Sequence, residues 1–370
     1  VTREAPKVWL LLGKRVGDNA QARALARLLD VEAKEIDVRF NWLYRLPNAL
    51  KGASLASLDK RRSGALEPPW PDLVIGTGRR SVPVARWIRR QSDHPVRLVQ
   101  IGRPQAEPEQ FDLVLTTPQY RLAPHYNVIE LPLPLTLLNK IDLNRAATRW
   151  RSSVADLRRP LITVVVGGDT STCRFGADEA KALAQLAGEY AGTRGGSLLV
   201  LTSARTSPQA VVALRAALPS RARLHEWRVT LDNPYRGYLA LADEIIVTDD
   251  SASMIADAAA TGKPLWLYQV PFRAGNPIIW GQDRLFSRYG DGGDGGDGDR
   301  AGSLVTRLVN TGWLSAQRRM DRLVAALVEQ GKAQVFSRES LNAGLPPARP
   351  EGLHLGVAEA VARIRILMWQ

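Results

Sequence analysis

Residues 244–264 read EIIVTDDSASMIADAAATGKP, and their reading decides the fold. Glu244–Thr248 is an apolar run too short for a helix, Asp249–Ser253 is a polar turn, and Met254–Thr261 continues as an alanine-rich helix. A short buried strand, a turn and then a helical pattern make up half of a parallel βαβ unit. The rhythm recurs on both sides. Leu161–Val166 runs into Gly167-Gly168 and a helix at Ala177–Ala191, Ser197–Thr202 runs into Ser203–Ser207 and a helix at Pro208–Leu218, and Pro264–Tyr268 follows. In the first half, Lys7–Leu12 meets Gly13–Asn19 and a helix through Gln21–Leu29, whose Ala22, Leu25, Ala26 and Leu29 share one face. Asp72–Ile75 meets Gly76–Ser81 and the helix Val82–Arg90, with further strands at Arg97–Ile101, Leu113–Thr116 and Val128–Leu131. The expected fold is α/β, with two Rossmann-like domains.

The length of 370 residues suits two domains. The rhythm divides them as 1–150 and 151–350, with a proline-rich and charged linker inside Pro132–Arg159. Residues 351–370 end in a helix, Val357–Met368, expected to pack back toward the first domain. Residues 290–300, GDGGDGGDGDR, carry no apolar side chain and read as a flexible surface loop.

Hydrophobic residues at 45% and charged residues at 24% describe a protein that buries real cores, not a disordered chain. The lone Cys173 excludes an intramolecular disulfide, and with four histidines it leaves no metal-finger spacing, so a reducing, cytoplasmic setting is expected. No apolar run reaches the ~20 residues of a membrane span, and Val8–Leu12 is too short for a signal peptide. The net charge is +13, and residues 1–150 hold 24 Lys and Arg against 15 Asp and Glu, so the first half should face something anionic. No helix-turn-helix, zinc-finger or RNP-like pattern supports nucleic acid as that partner. The segment Arg39–Arg62 with Trp42, Tyr44 and Lys51, and the helix Val82–Arg90 with Trp87, mix basic and aromatic residues as peripheral contact with an anionic membrane surface requires.

In an open parallel sheet, ligands bind beyond the carboxyl ends of the strands, where amides at helix starts hold anions. Three loops of the second half offer such a place. Gly167-Gly168-Asp169-Thr170 permits close backbone approach, Ser203-Ala204-Arg205-Thr206 adds hydroxyls and a guanidinium, and Asp250-Ser251-Ala252-Ser253 opens a helix with hydroxyls. Asp257, four residues past Ser253, shares its helical face and is placed to accept hydrogen bonds from two ribose hydroxyls. Trp227 and Tyr235 are candidates to stack a base. In the first half, Asp18 after the first strand is the candidate general base, with a helix N-cap as its plainer role. Lys14, Arg15 and Asn19 lie in the same loop, and Arg79-Arg80 after Gly-Thr-Gly and Arg103 after Gln-Ile-Gly are anion sites by position.

The carboxylate, alanine-rich helix and Gly-Lys-Pro of residues 257–264 resemble the donor-nucleotide motif of GT-B glycosyltransferases. Leu11–Gln21, Pro68–Arg80, Thr116–Tyr120, Asn233–Tyr235 and Thr248–Met254 resemble the mitochondrial-fission "elongated mitochondria" family, and the Arg- and Ala-rich usage resembles that of its bacterial members. The resemblance implies a GT-B architecture, two domains facing each other across a cleft, the first for the acceptor and the second for a nucleoside-diphosphate sugar. It also implies that no metal or other cofactor is needed, since helix dipoles and basic groups hold the diphosphate. The implied activity is sugar transfer to an envelope-glycan or lipid-linked acceptor at the cytoplasmic face of the inner membrane. The alternatives are a non-catalytic scaffold for a protein or membrane partner, as plant members of the family recruit a dynamin-related protein, and a nucleotide-sugar epimerase. GT-B donors are usually gripped by a Glu where Asp257 stands, a difference of one methylene.

Overall fold

A computed structural model describes residues 5–170, 172–229, 232–272, 277–289, 298–314, 316–342, 344–348 and 356–369. Among the described residues, twelve strands form two six-stranded sheets. The first holds β1 (Val8–Leu12), β2 (Ala33–Asp37), β3 (Leu73–Thr77), β4 (Arg97–Ile101), β5 (Leu113–Thr116) and β6 (Val128–Glu130), in the order β2-β1-β3-β4-β5-β6. The second holds β7 (Leu161–Val165), β8 (Ser197–Leu201), β9 (Arg223–His225), β10 (Glu244–Thr248), β11 (Leu265–Tyr268) and β12 (Gln334–Val335), in the order β12-β11-β10-β7-β8-β9. Every pairing is parallel. The α/β reading of the repeated strand, turn and helix is therefore correct for both halves.

Helices α1 (Val16–Leu29), α2 (Asn48–Lys51) and α3 (Gly78–Gln91) accompany the first sheet. Then come α4 (Lys140–Trp150), α5 (Ala177–Thr193), α6 (Pro208–Ala217), α7 (Tyr235–Leu241) and α8 (Ala252–Ala259), followed by α9 (Pro277–Tyr289), α10 (Gly298–Asn310), α11 (Met320–Glu329) and α12 (Val357–Trp369). The central strands are buried on both faces, which is why they read as unbroken apolar runs. One face of the first sheet packs Val8, Leu10 and Leu12 against Leu25 and Leu29 of α1 and Ala360 and Ile364 of α12. The other packs Trp9, Leu11 and Val74 against Val82, Ala85 and Ile88 of α3. Trp70 lies between Trp9 and Trp87, with ring centroids 5.9 Å from each.

The chain divides into two compact units, one of Val1–Leu137, Asn276–Arg319 and His354–Gln370, the other of Leu138–Gly275 and Met320–Leu353. This differs from a division at 150 with one continuous second domain. Helix α4 goes with the second unit because Trp150 packs edge-on to Tyr238, 6.2 Å between centroids, over a Gly237 with no room for a Cβ. Residues 276–319 go with the first because Arg121 pairs with Asp283 and donates to Ser287 at 2.8 Å, while Arg103 and Arg121 both lie against the Phe286 ring. The expected loop at 290–300 falls outside the described residues as far as 297, and α10 begins at Gly298. Among the described residues, no helix is long and apolar enough to cross a membrane.

Candidate functional site

The carboxyl ends of β7, β8 and β10 are joined by a network centred on Asp250. Its carboxylate is fully buried; it accepts from the Gly168 amide at 3.1 Å and the Thr248 hydroxyl at 2.6 Å and pairs with Arg205 at 2.7 Å. The Ser203 hydroxyl donates to the Gly167 carbonyl at 2.9 Å, tying the third loop in. The close approach that the two glycines permit is made by protein. A Cβ on Gly167 would stand 2.1 Å from the Asp250 carboxylate, and one on Gly168 would stand 2.0 Å from the Arg205 carbonyl. Arg205, expected as a diphosphate ligand, has its charge answered by Asp250. The Thr170 hydroxyl accepts from the amides of Thr172 at 3.1 Å and Cys173 at 2.9 Å, closing its own turn. The neighbouring Asp249 accepts from the Val270 amide at 2.9 Å, and burial, with Asp250 beside it, pushes its carboxyl up to about 6.

Helix α8 starts just beyond this network. Ser251 caps it without a side-chain bond to its first turn, so capping leaves those amides to other partners, and the Ser251 and Ser253 hydroxyl oxygens lie 3.3 Å apart. One turn on, Asp257 accepts from the Tyr235 hydroxyl at 3.0 Å. Tyr235 opens α7, and burial beside this carboxylate pushes its phenol well above its ordinary range, keeping it a donor. Tyr235 thus orients Asp257, a contact that the base-stacking expectation did not include. Trp227 is 42% exposed, with its amide donating to the Thr202 hydroxyl at 2.8 Å.

The first unit carries a different site. A cavity of about 270 Å³ opens at the carboxyl ends of its central strands, bordered by Lys14, Arg15, Asp18, Arg79, Arg80 and Arg318. The starts of α1 and α3 both lie there, and neither N-cap residue, Arg15 or Thr77, makes a side-chain cap. Helix α1 begins at Val16, five residues before the expected start at Gln21, so Asp18 stands within the first helical turn and not in the preceding loop. The Asn19 side chain accepts from the Gly13 amide at 2.9 Å and donates to the Gly13 carbonyl at 3.1 Å. Arg103 is buried and donates to the Tyr120 carbonyl at 2.8 Å and to Asn310 at 3.2 Å. Both are expected as anion ligands; these contacts hold the cavity wall in shape, and Arg103 also lines the cavity.

Three further cations of the cavity contact neutral groups. Arg79 donates to the Gln105 side chain at 3.0 Å, Arg80 lies 4.1 Å from the centre of the Tyr44 ring, and Arg318 lies 4.8 Å from that of Tyr120. Burial, with Arg80 and Arg15 nearby, pushes the Arg79 guanidinium down, and burial near Arg79 and Arg80 lowers the Lys51 ammonium to about 8. Gln105, also on the cavity wall, adopts φ +50°, a left-handed conformation that is uncommon for a residue with a side chain. Arg318 and Gln105 were not foreseen. Arg318 reaches this site from a distant segment that no local pattern links to it, whereas Tyr120 stands inside the Thr116–Tyr120 motif.

A family model described as Mitochondrial fission ELM1 matches residues 16–287. The Arabidopsis thaliana protein named Mitochondrial fission protein ELM1 is 30% identical over 223 residues, which cover 54% of this chain and 52% of that protein, so the match spans about half the relative's length. Uncharacterized protein RP120 of Rickettsia prowazekii (strain Madrid E) is 25% identical over 298 residues, 71% of this chain and 83% of that protein. Among solved structures, an S. aureus MnaA–UDP co-structure has a TM-score of 0.47 at 11% identity, covering 99% of this chain and 98% of that one. Acinetobacter baumannii MurG has a TM-score of 0.41 at 15% identity, covering 98% of this chain and 100% of that one.

Proposed function

The chain belongs to the Mitochondrial fission ELM1 family, and we propose that it is a metal-independent GT-B-type glycosyltransferase that binds a nucleoside-diphosphate sugar on its second unit and passes the sugar to an envelope-glycan or lipid-linked acceptor bound on its first. The observation that carries this reading is the arrangement on α8, where Ser251 and Ser253 stand at an uncapped helix start and Asp257, oriented by Tyr235, follows one turn later. Amides and hydroxyls at such a start suit the diphosphate, and the helix dipole favours its charge. Asp257 lies about 6 Å further along the axis than Ser253 and accepts from the ribose hydroxyls. The Asp250 network keeps the flanking loops in place. Asp18, on the wall of the first unit's cavity, takes the proton from the acceptor hydroxyl as the sugar is transferred. Trp42 at 72% and Leu50 at 60% exposed, in the same basic stretch as Arg39 and Arg45, support contact between this unit and an anionic membrane surface.

The test is calorimetric titration of UDP-, GDP- and CMP-sugars into the full chain. One nucleotide is expected to bind saturably, Asp257→Ala to lose that binding, and Asp18→Asn to keep it while turnover falls by about 10²–10⁴-fold. Unchanged turnover would remove Asp18 from the mechanism. The second reading, a non-catalytic scaffold, is favoured by the family description; it predicts no turnover of any bound nucleotide sugar.

A further inference from the structure

The cavity of the first unit gathers positive charge that the protein does not neutralise. Lys14 and Arg15 come from the loop after β1, Arg79 and Arg80 from the first turn of α3, and Arg318 from the segment after α10. Among the described residues, no carboxylate comes within 4.0 Å ion-pair distance of any of the five, and the acid on the cavity wall is Asp18. Several arginines elsewhere in the molecule are answered: Arg23 by Glu35, Arg89 and Arg97 by Asp112, Arg205 by Asp250. Like charges gathered around a confined space repel one another and weaken the fold, and an anion bound among them relieves that repulsion. Two uncapped helix starts open on the same space and add to its preference for negative charge. Guanidinium forks match the oxygens of a phosphate, and a phosphomonoester brings about two negative charges where a carboxylate brings one.

We infer that this cavity binds a phosphoryl group, as a phosphomonoester or diphosphate, and that the acceptor is therefore a phosphorylated molecule. The word acceptor rests on the glycosyltransferase reading; the anion site does not. Lys14, Arg15, Arg80 and Arg318 hold the phosphate oxygens, Gln105 steadies Arg79 among them, and Asp18 is left facing the hydroxyl to be glycosylated.

The experiment titrates phenyl phosphate into the full chain at fixed ionic strength in chloride, beside flotation with phosphatidylcholine vesicles that do or do not contain a polyprenyl phosphate. Wild type is expected to bind, and Arg15→Gln and Arg80→Gln to bind at least about tenfold more weakly, the size of one charged hydrogen bond lost. Without anion, each variant is expected to melt at or above the wild-type temperature, which a merely structural arginine would not do. Binding only to vesicle-borne phosphate, lost in Arg80→Gln, also supports the site and identifies a lipid as the source. Asp257→Ala is expected to bind phenyl phosphate as wild type does, so the site can stand even if no nucleotide binds the second unit. Equal affinity in wild type and both variants, loss of phenyl phosphate binding in Asp257→Ala, or no binding to free or vesicle-borne phosphate would overturn the inference.

Discussion

The two sheets present the same architectural edge, the carboxyl ends of parallel strands, and furnish it in opposite ways. In the second unit the charges are settled internally: Arg205 faces Asp250, and Asp257 receives the Tyr235 hydroxyl. In the first unit six cations border a cavity, and Arg79, Arg80 and Arg318 among them meet the neutral Gln105, Tyr44 and Tyr120. The first edge offers a bound anion guanidinium and ammonium charge, whereas the second, with its arginine already paired, offers one only amides and hydroxyls. The fold supplies the place, and charge balance decides what fits there.

The largest effect should come from breaking the balance in the second unit. Asp250→Ala would leave Arg205, the Gly168 amide and the Thr248 hydroxyl without their shared acceptor, at a cost of about 3 kcal/mol or more. Urea denaturation measures it, and a cost below about 1 kcal/mol would show that the network does not organise the loops. Asp249 should sharpen the contrast through pH. Its carboxyl is raised to about 6 in the fold, so the folded state holds more protons than the unfolded one between about pH 4 and 6, and stability falls as pH rises through that window. The fall is at most about 3 kcal/mol, and Asp249→Asn should flatten it. Gly168→Ala should cost about 1–3 kcal/mol, because the new methyl meets the Arg205 carbonyl.

Much of this contrast can be read from the sequence, for reasons that particular residues illustrate. Strands buried on both faces announce themselves, as Val8–Leu12 and Glu244–Thr248 do. The edge strand β2, with the sequence AKEID and one buried residue, does not, because an exposed edge needs no apolar alternation. The loops that carry the sites follow from the strands, but the partners of their side chains do not. That Asp250 pairs with Arg205, or that Tyr235 meets Asp257, depends on side chains 45 and 22 positions apart converging in space. The Asp249-Asp250 pair at the end of an apolar strand is the one sequence signal that pointed to the network.

The smallest expected effect lies in the first unit. Lys51 is lowered to about 8, so the unfolded state holds more protons between about pH 8 and 10.5, and stability rises with pH there. Lys263 in the second unit, also lowered to about 8, shares that window, so Lys51→Met should remove only part of the rise in melting temperature. An unchanged rise would show that burial beside Arg79 and Arg80 does not lower the Lys51 ammonium.

The most direct test of two edges with two kinds of ligand is a cross-titration of nucleotide and phenyl phosphate into wild type, Asp257→Ala and Arg80→Gln. A double dissociation is expected: Asp257→Ala loses the nucleotide and keeps phenyl phosphate, and Arg80→Gln loses phenyl phosphate and keeps the nucleotide. Loss of both ligands in the same variant, with the other variant unaffected, would contradict it.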